Sequence, residues 1–250
     1  MRIIYLCHYF APEPSAPSAR VHEMAKRWVH MGHEVTVVTC FPNHPTGVVP
    51  EHYRGLLFKR EMLDGIEVCR NWVYATPNRG LLRRTLNHLS FMVSSILFTM
   101  PKLQGRGVII ASSPTFFSVI SAFVIGRIRR MPYVFEVRDL WPAIFVDLGV
   151  LRNRGLIGFL EAIEMFLYRR AAKVVTVTRS FRDQLVSRGV DPKKIDVVTN
   201  GAEIDFFTPG EKENAVRERY DLLGMFVVCY AGAHGISHGL DSVLESAALL

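Results

Sequence analysis

An adjacent cation and anion, Arg138 and Asp139, directly follow the run Tyr133-Val134-Phe135-Glu136-Val137 and precede Trp141-Pro142. A run so rich in aromatic and β-branched residues reads as a short buried strand. In an open α/β sheet, ligands bind just past the carboxyl ends of the strands. There a carboxylate can exchange a proton, and a guanidinium can pair with it or with a phosphate. The plainer alternative is a charged surface turn with Trp141 filling core.

Other loops offer groups of the same kind. Asn43, His44 and Thr46 lie in a polar stretch after Val35–Thr39, and Ser112 and Ser113 follow Val108–Ala111. The first set could equally be a turn fixed by Pro42, Pro45 and Gly47. The two serines could donate to a phosphate or cap the helix behind them. Gly232–Gly239 precedes a helix, where backbone N–H groups and the helix dipole suit a phosphate, and His234 and His238 could add hydrogen bonds or charge. Their spacing of four invites a metal, but the intervening Gly235 and the lack of further ligands argue against one. No metal is expected. The four cysteines contain no CxxC pair, so neither a zinc site nor a disulfide framework is supported.

The elements that must position these groups alternate along the chain. Arg2–Leu6 reads as a strand, followed by a proline-rich loop. Ser18 is a plausible cap for a helix whose apolar positions Val21, Met24, Ala25, Trp28 and Val29 form one face. Glu34–Thr39 is a second strand, so the chain opens as a doubly wound α/β sheet. Leu56–Arg60 and Gly65–Tyr74 form a strand pair joined at Asp64-Gly65. A long helix follows at about Leu81–Leu103, then strands at Val108–Ala111, Tyr133–Val137, Lys173–Thr178 and Lys194–Thr199. Helices lie between them at about Thr115–Arg130 and Gly155–Arg170, and Ser180 begins a short one ending at Arg188. Beyond a polar, helical stretch at Glu211–Gly224, Phe226–Tyr230 reads as a fresh strand and Gly239 as the start of a helix. A single βα unit cannot bury both faces of its strand. The expectation is therefore one α/β domain over 1–205, then a linker and the start of a second over 206–250.

The 250 residues are 49% hydrophobic and 21% charged, a globular composition. No stretch reaches the roughly 18 apolar residues of a spanning helix, and the N-terminus is no signal peptide, so a cytoplasmic location is expected. Residues 1–170 carry 21 Lys and Arg against 12 Asp and Glu, whereas 171–250 carry 9 against 11. A basic N-terminal part suits a nucleic acid, an anionic membrane or a phosphorylated substrate, and no nucleic-acid-binding signature favours the first. Within Leu81–Leu103 the apolar residues repeat at helical spacing, with Arg83, Arg84, Lys102 and Arg106 flanking them. That pattern fits core, or an amphipathic basic face on anionic lipid.

Together these pieces resemble the GT-B glycosyltransferases of family 4, and within it the bacterial branch that builds O-antigen and capsule, typified by fucosamine transferases. The resemblance runs over essentially the whole chain. It is carried by His33–Thr39, Asn43-His44-Pro45-Thr46-Gly47, Ser112-Ser113-Pro114, Arg138-Asp139-Leu140-Trp141-Pro142, Asn200-Gly201 and Tyr230-Ala231-Gly232. It implies a retaining transferase of two Rossmann-like domains, here a complete first domain and the first β-α unit of the second, without a cofactor. The co-substrate would be a nucleotide sugar, UDP-linked, and the acceptor a lipid-diphosphate-linked sugar. It also implies peripheral attachment to the inner face of the plasma membrane. Asp139 and Arg138 would serve catalysis, while Ser15, Ser18, Asn43, His44, Thr46, Ser112, Ser113 and Trp141 would bind acceptor. Asn200, Gly201, Gly232, His234, His238 and Gly239 would bind donor. The chain departs from the family in having Pro14–Ser18 where many members carry a Gly-Gly pair, and Arg138 where many carry His. The family's diphosphate-binding Arg and Lys would fall near Ala233 or His234 and at His238, and its paired glutamates beyond Leu250. The competing readings are a GT-B-type nucleotide-sugar epimerase and a non-catalytic basic membrane-binding module. A dinucleotide-dependent oxidoreductase is disfavoured because the loop after the first strand lacks GxGxxG.

Overall fold

The computed structural model describes the chain apart from residues 78, 79, 114, 205, 233, 235–237 and 250, with backbone alone at residue 81. Pro114, Ala233 and Gly235, which figured in the motifs above, thus lie outside the described residues.

Eight strands form one sheet in the order β3-β4-β2-β1-β5-β6-β7-β8. They are β1 (Arg2–Leu6), β2 (Glu34–Cys40), β3 (Phe58–Leu63), β4 (Ile66–Asn71), β5 (Val108–Ser112), β6 (Tyr133–Val137), β7 (Lys173–Thr176) and β8 (Ile195–Val197). All neighbours pair in parallel except β3, which joins β4 as an antiparallel edge strand across the Asp64-Gly65 turn.

Burial on both faces explains why the central strands read as continuous apolar runs. Alternate residues of β1 serve opposite cores. Tyr5 packs with Val21 and Ala25 of α1 (Ala16–His30). Ile4 and Leu6 pack with Phe116, Val119 and Ala122 of α3 (Phe116–Arg129). Between them in sequence, α2 (Leu81–Ser94) covers a small third core of Cys40, Val73 and Phe91. The remaining helices are α4 (Ala143–Asp147), α5 (Arg154–Arg170), α6 (Arg179–Ser187), α7 (Ala215–Arg219) and α8 (Leu240–Ala247).

Several boundaries differ from the sequence reading. Ser15, not Ser18, caps α1: its backbone is extended and its hydroxyl accepts the Ser18 N–H at 3.3 Å. Pro17 then falls in the first turn, where no N–H is needed. Thr178, not Ser180, caps α6 for the same reason, accepting the Phe181 N–H at 3.1 Å. The long helix expected at Leu81–Leu103 has three geometries. It is α-helical to Ser94, widens to a π turn at Ser95–Thr99 and tightens to a 3-10 turn at Met100–Lys102 around Pro101.

The polar stretch Glu211–Gly224 holds only the short α7. Phe226–Tyr230 forms no strand, with Phe226 91% and Val228 79% exposed. A strand needs a neighbouring strand for its N–H and C=O groups, and among the described residues none of the eight strands pairs with this segment. Of the expected second βα unit, the described residues form the helix, α8.

Candidate functional site

The chain leaves β1 toward β2 and later returns to the other side of β1 as β5. A sheet's ligand crevice lies where the order reverses in this way. A pocket occupies that place, lined by Cys7, His8 and Tyr9 after β1, Pro17 and Val21 of α1, Ser112, Ser113 and Thr115 at the end of β5, and Arg138 after β6.

Arg138 enters this pocket with its Nε buried and without a hydrogen-bond partner among the described residues. The Nδ1 of His8 is in the same condition. Orphaned buried polar atoms are costly, and two of them around one pocket suit a polar or anionic guest. Beside Arg138, burial raises the pKa of Asp139, and the guanidinium's charge opposes that rise. The pair expected from sequence is therefore at a strand end, with its cation facing a pocket and its carboxylate partly desolvated.

Ser113 holds the pair in place. Its hydroxyl accepts the N–H groups of Arg138 at 3.0 Å and Asp139 at 3.2 Å and donates to the Asp139 carbonyl at 3.0 Å. The Ser112 hydroxyl donates to the Ser113 carbonyl at 2.8 Å. Both serines thus shape the loop with the hydrogens that a phosphate would need, and neither caps α3. Trp141 stacks on Phe116, ring centroids 4.1 Å apart and planes 12° from parallel, and packs against the main core; it lines neither this pocket nor the one that adjoins it. The Trp141-Pro142 peptide is cis.

A second pocket adjoins the first through Tyr9, which lines both. It gathers Asn43, His44 and Pro45 after β2, Thr76, and Arg84, Asn87 and His88 of α2. The Asn43 amide is built into the loop, donating to the Phe41 carbonyl at 2.9 Å and accepting from Asn87 at 3.2 Å. The His44 ring contacts Tyr9 edge-on at 5.1 Å. Thr46 is exposed and accepts the Val48 N–H; it does not line this pocket. His8 and His88 bring the two pockets within one ring contact, their centroids 4.1 Å apart. Burial drives both below the usual histidine range, His88 to about 4 with help from Arg84, so both rings are neutral.

The remaining expected residues lie elsewhere. Ser15 and Ser18 serve the start of α1, whose Pro17 and Val21 reach the first pocket. Asn200 accepts a hydrogen bond from Arg20 at 3.0 Å, and Arg20 also grips the buried Glu136 at 2.6 Å. Gly201 is exposed. Gly232, His234, His238 and Gly239 line neither pocket. His234 contacts the Tyr230 ring, and Gly239, with φ +57°, begins α8. Among the described residues no group of His, Cys, Asp and Glu could hold a metal ion.

The sequence reading missed Glu13. This buried carboxylate accepts the N–H groups of Asn43 and His44, each at 2.8 Å, and of Phe10 at 3.3 Å. It also missed the roles of His8, Tyr9, Asn87 and His88. The available signal for His8 and Tyr9 was position, just past the end of β1.

The sequence profile of the glycosyl transferase 4-like domain matches residues 15–201, which hold every strand but β1, six of the nine residues lining the first pocket and seven of the eight lining the second. The chain belongs to this family. Two solved structures resemble this transferase-like domain in fold, both of Anabaena Alr3699/HepE. The one in complex with UDP-glucose is 13% identical, with a TM-score of 0.54 over 88% of this chain and 50% of that chain. The one in complex with UDP and glucose is 14% identical, with the same TM-score and coverage. The glycosyl transferase 4-like chain thus spans half the length of these structures. No match is found among curated proteins.

Proposed function

We propose that residues 1–205 are the acceptor-side domain, and 206–250 the linker and opening of the donor-side domain, of a retaining GT-B glycosyltransferase. It moves a sugar from a UDP-linked donor to a lipid-diphosphate-linked glycan in bacterial surface polysaccharide synthesis, in the O-antigen and capsule branch. The observation that carries the reading is the family match over most of the residues that build the pocket at the sheet's reversal point, with Arg138 facing into it.

In this reading Arg138 supplies positive charge to the departing diphosphate, whose own charge grows as the sugar bond breaks. Asp139 contacts the transferred sugar or the attacking hydroxyl. The leaving phosphate accepts the acceptor's proton, so no protein nucleophile is required. Tyr9, His44 and Arg84 border the acceptor. No helix among the described residues is long and apolar enough to cross a membrane, and the exposed apolar residues of α2, with Arg83 and Arg84 at its start, support peripheral attachment to the inner face of the plasma membrane. Flotation with anionic vesicles at low salt tests that attachment, and protein left at the bottom rejects it.

The reaction is tested with the complete open reading frame, a panel of nucleotide sugars and a lipid-diphosphate sugar acceptor, followed by mass spectrometry, with Asp139→Ala in parallel. The expected result is an acceptor heavier by one sugar, lost in the variant. An unchanged acceptor with an isomerised donor would assign an epimerase instead.

A further inference from the structure

A third pocket lies at the other end of the sheet, where β6 and β7 begin. It is open, about 430 Å³ in volume, and sits where α3 and α5 finish side by side, with Phe123 and Phe166 in edge-on ring contact at 5.3 Å. Phe123, Pro132 and Tyr133 give it an apolar lining, and Arg127, Arg130 and Arg170 add three exposed cations. From Tyr133, at the start of β6, to Arg138, just past its end, the chain runs about 16 Å, so this pocket is separate from the candidate site.

Basic residues at helix ends usually answer the unpaired carbonyls, but here those carbonyls have other partners. The N–H groups of Arg130 and Met131 both return to the Gly126 carbonyl. Lys194 Nζ donates to the carbonyls of Arg169 at 2.8 Å and Ala171 at 3.1 Å, and the Tyr133 hydroxyl donates to that of Leu167. The guanidinium groups of Arg127, Arg130 and Arg170 are left with no hydrogen bond or ion pair among the described residues. Arg170 lies over the Phe166 ring, 5.4 Å from its centroid. The adjoining carboxylates are few and engaged. Residues 68–135 contain no Asp or Glu, Glu164 of α5 is buried and paired with Arg188 at 2.6 Å, and Asp196 is paired with Lys173 at 3.0 Å. Arg130 moreover closes α3 at φ +54°, a backbone conformation in which glycine is the usual residue.

Three unengaged guanidinium groups beside an aromatic wall match a phosphate ester. Their planar N–H forks pair bidentately with phosphate oxygens, and the apolar lining receives the esterified group. We infer that this pocket binds a phosphate monoester, with Arg127, Arg130 and Arg170 on the phosphate and Phe123 and Pro132 against its organic part. The ester is either a free phosphorylated metabolite or the headgroup of an anionic lipid, and both present the same oxygens to the arginines. The inference is independent of the transferase reading, since this pocket shares no residue with the other two.

Two binding experiments on the complete protein test the two sources: equilibrium dialysis with phenyl phosphate, and cosedimentation with phosphatidylcholine vesicles with and without phosphatidic acid. The triple variant Arg127→Gln, Arg130→Gln, Arg170→Gln should weaken binding by about tenfold or more. A control that removes as much charge outside the pocket, Arg179→Gln, Lys212→Gln, Arg219→Gln, should weaken it about twofold at most. Arg130→Gly should melt no lower than the parent, because its backbone already suits glycine, and should by itself weaken binding about threefold or more. Arginine-dependent binding of phenyl phosphate supports the inference with a soluble ester as the guest. Arginine-dependent binding to phosphatidic acid vesicles alone supports it with a lipid headgroup as the guest. No binding in either experiment, binding that the triple variant keeps, or an equal loss in the control overturns it. Inorganic phosphate bound as tightly as phenyl phosphate overturns it too, because the organic part would then touch nothing.

Discussion

The carboxylate of Glu13, in the loop after β1, accepts the backbone N–H of His44, in the loop after β2, at 2.8 Å. Because the same oxygen also takes the Asn43 N–H, one side chain fixes the path of the polar loop that borders the second pocket. Glu13→Ala would orphan these two amides and that of Phe10, at about 1–3 kcal/mol for a buried unsatisfied group. We expect a loss of about 2–4 kcal/mol in urea unfolding, Glu13→Gln recovering part of it, and faster hydrogen exchange confined to residues 41–45.

Glu136 is buried and bound on two sides, by the Tyr5 hydroxyl at 2.5 Å and the Arg20 guanidinium at 2.6 Å. Removing one partner of a buried ion pair typically costs about 3–5 kcal/mol, because the remaining charge is stranded. Arg20→Met should approach that loss, whereas Arg20→Met with Glu136→Gln should be markedly less destabilised. A double-mutant cycle in urea measures the difference. A single variant as stable as the pair of changes would show that Arg20 does not neutralise Glu136.

Asp139 is held above the ordinary carboxylate range by burial. The folded state therefore holds its proton more tightly than the unfolded state, so this group favours folding at low pH and the benefit is lost as pH rises through the raised pKa. Asp139→Asn removes the desolvated charge, so its melting temperature at pH 7 should exceed that of the parent and the gap should close in acid. Sugar transfer by the same variant should fall about 100-fold or more. A variant that loses both stability and activity would assign Asp139 a structural role.

His8 and His88 shift the other way, downward by burial. Between their folded values and about 6.5, the unfolded chain binds the extra protons, so stability falls as pH falls. For His88 the loss begins as pH drops through 6.5 and ends near 4. Each ring contributes a slope of about 1.4 kcal/mol per pH unit within its window. Urea midpoints at pH 7 and pH 5 should differ accordingly, and His8→Leu should flatten the dependence.

The elements that were legible in the sequence are those specified by neighbouring residues. The β1, β2, β5 and β6 runs carry enough β-branched and aromatic side chains to announce a strand, and the Asp64-Gly65 turn announced the β3–β4 pair. The place of the Arg138-Asp139 pair at a strand end was legible because the strand before it was. Glu13 was not, since its partners lie about thirty residues away and no local spacing encodes them. The strand expected at Phe226–Tyr230 shows the opposite failure. Its residues have the right propensity, but a strand is completed by a neighbour, which local sequence cannot provide. Ser18 was read as the cap of α1, whereas Ser15 takes that place and Pro17 falls in the first turn.

Gly47 lies so close to Thr76 and Pro77, on the chain leading to α2, that a β-carbon there would sit 2.0 Å from the Pro77 nitrogen and 2.5 Å from the Thr76 carbonyl oxygen. Two stretches of main chain are pressed together at the rim of the second pocket, with no side chain between them to trim or enlarge. The rim behaves as a fixed aperture. A change of guest would have to come from the side chains at positions such as 9, 44 and 84, because no substitution at Gly47 can widen the opening.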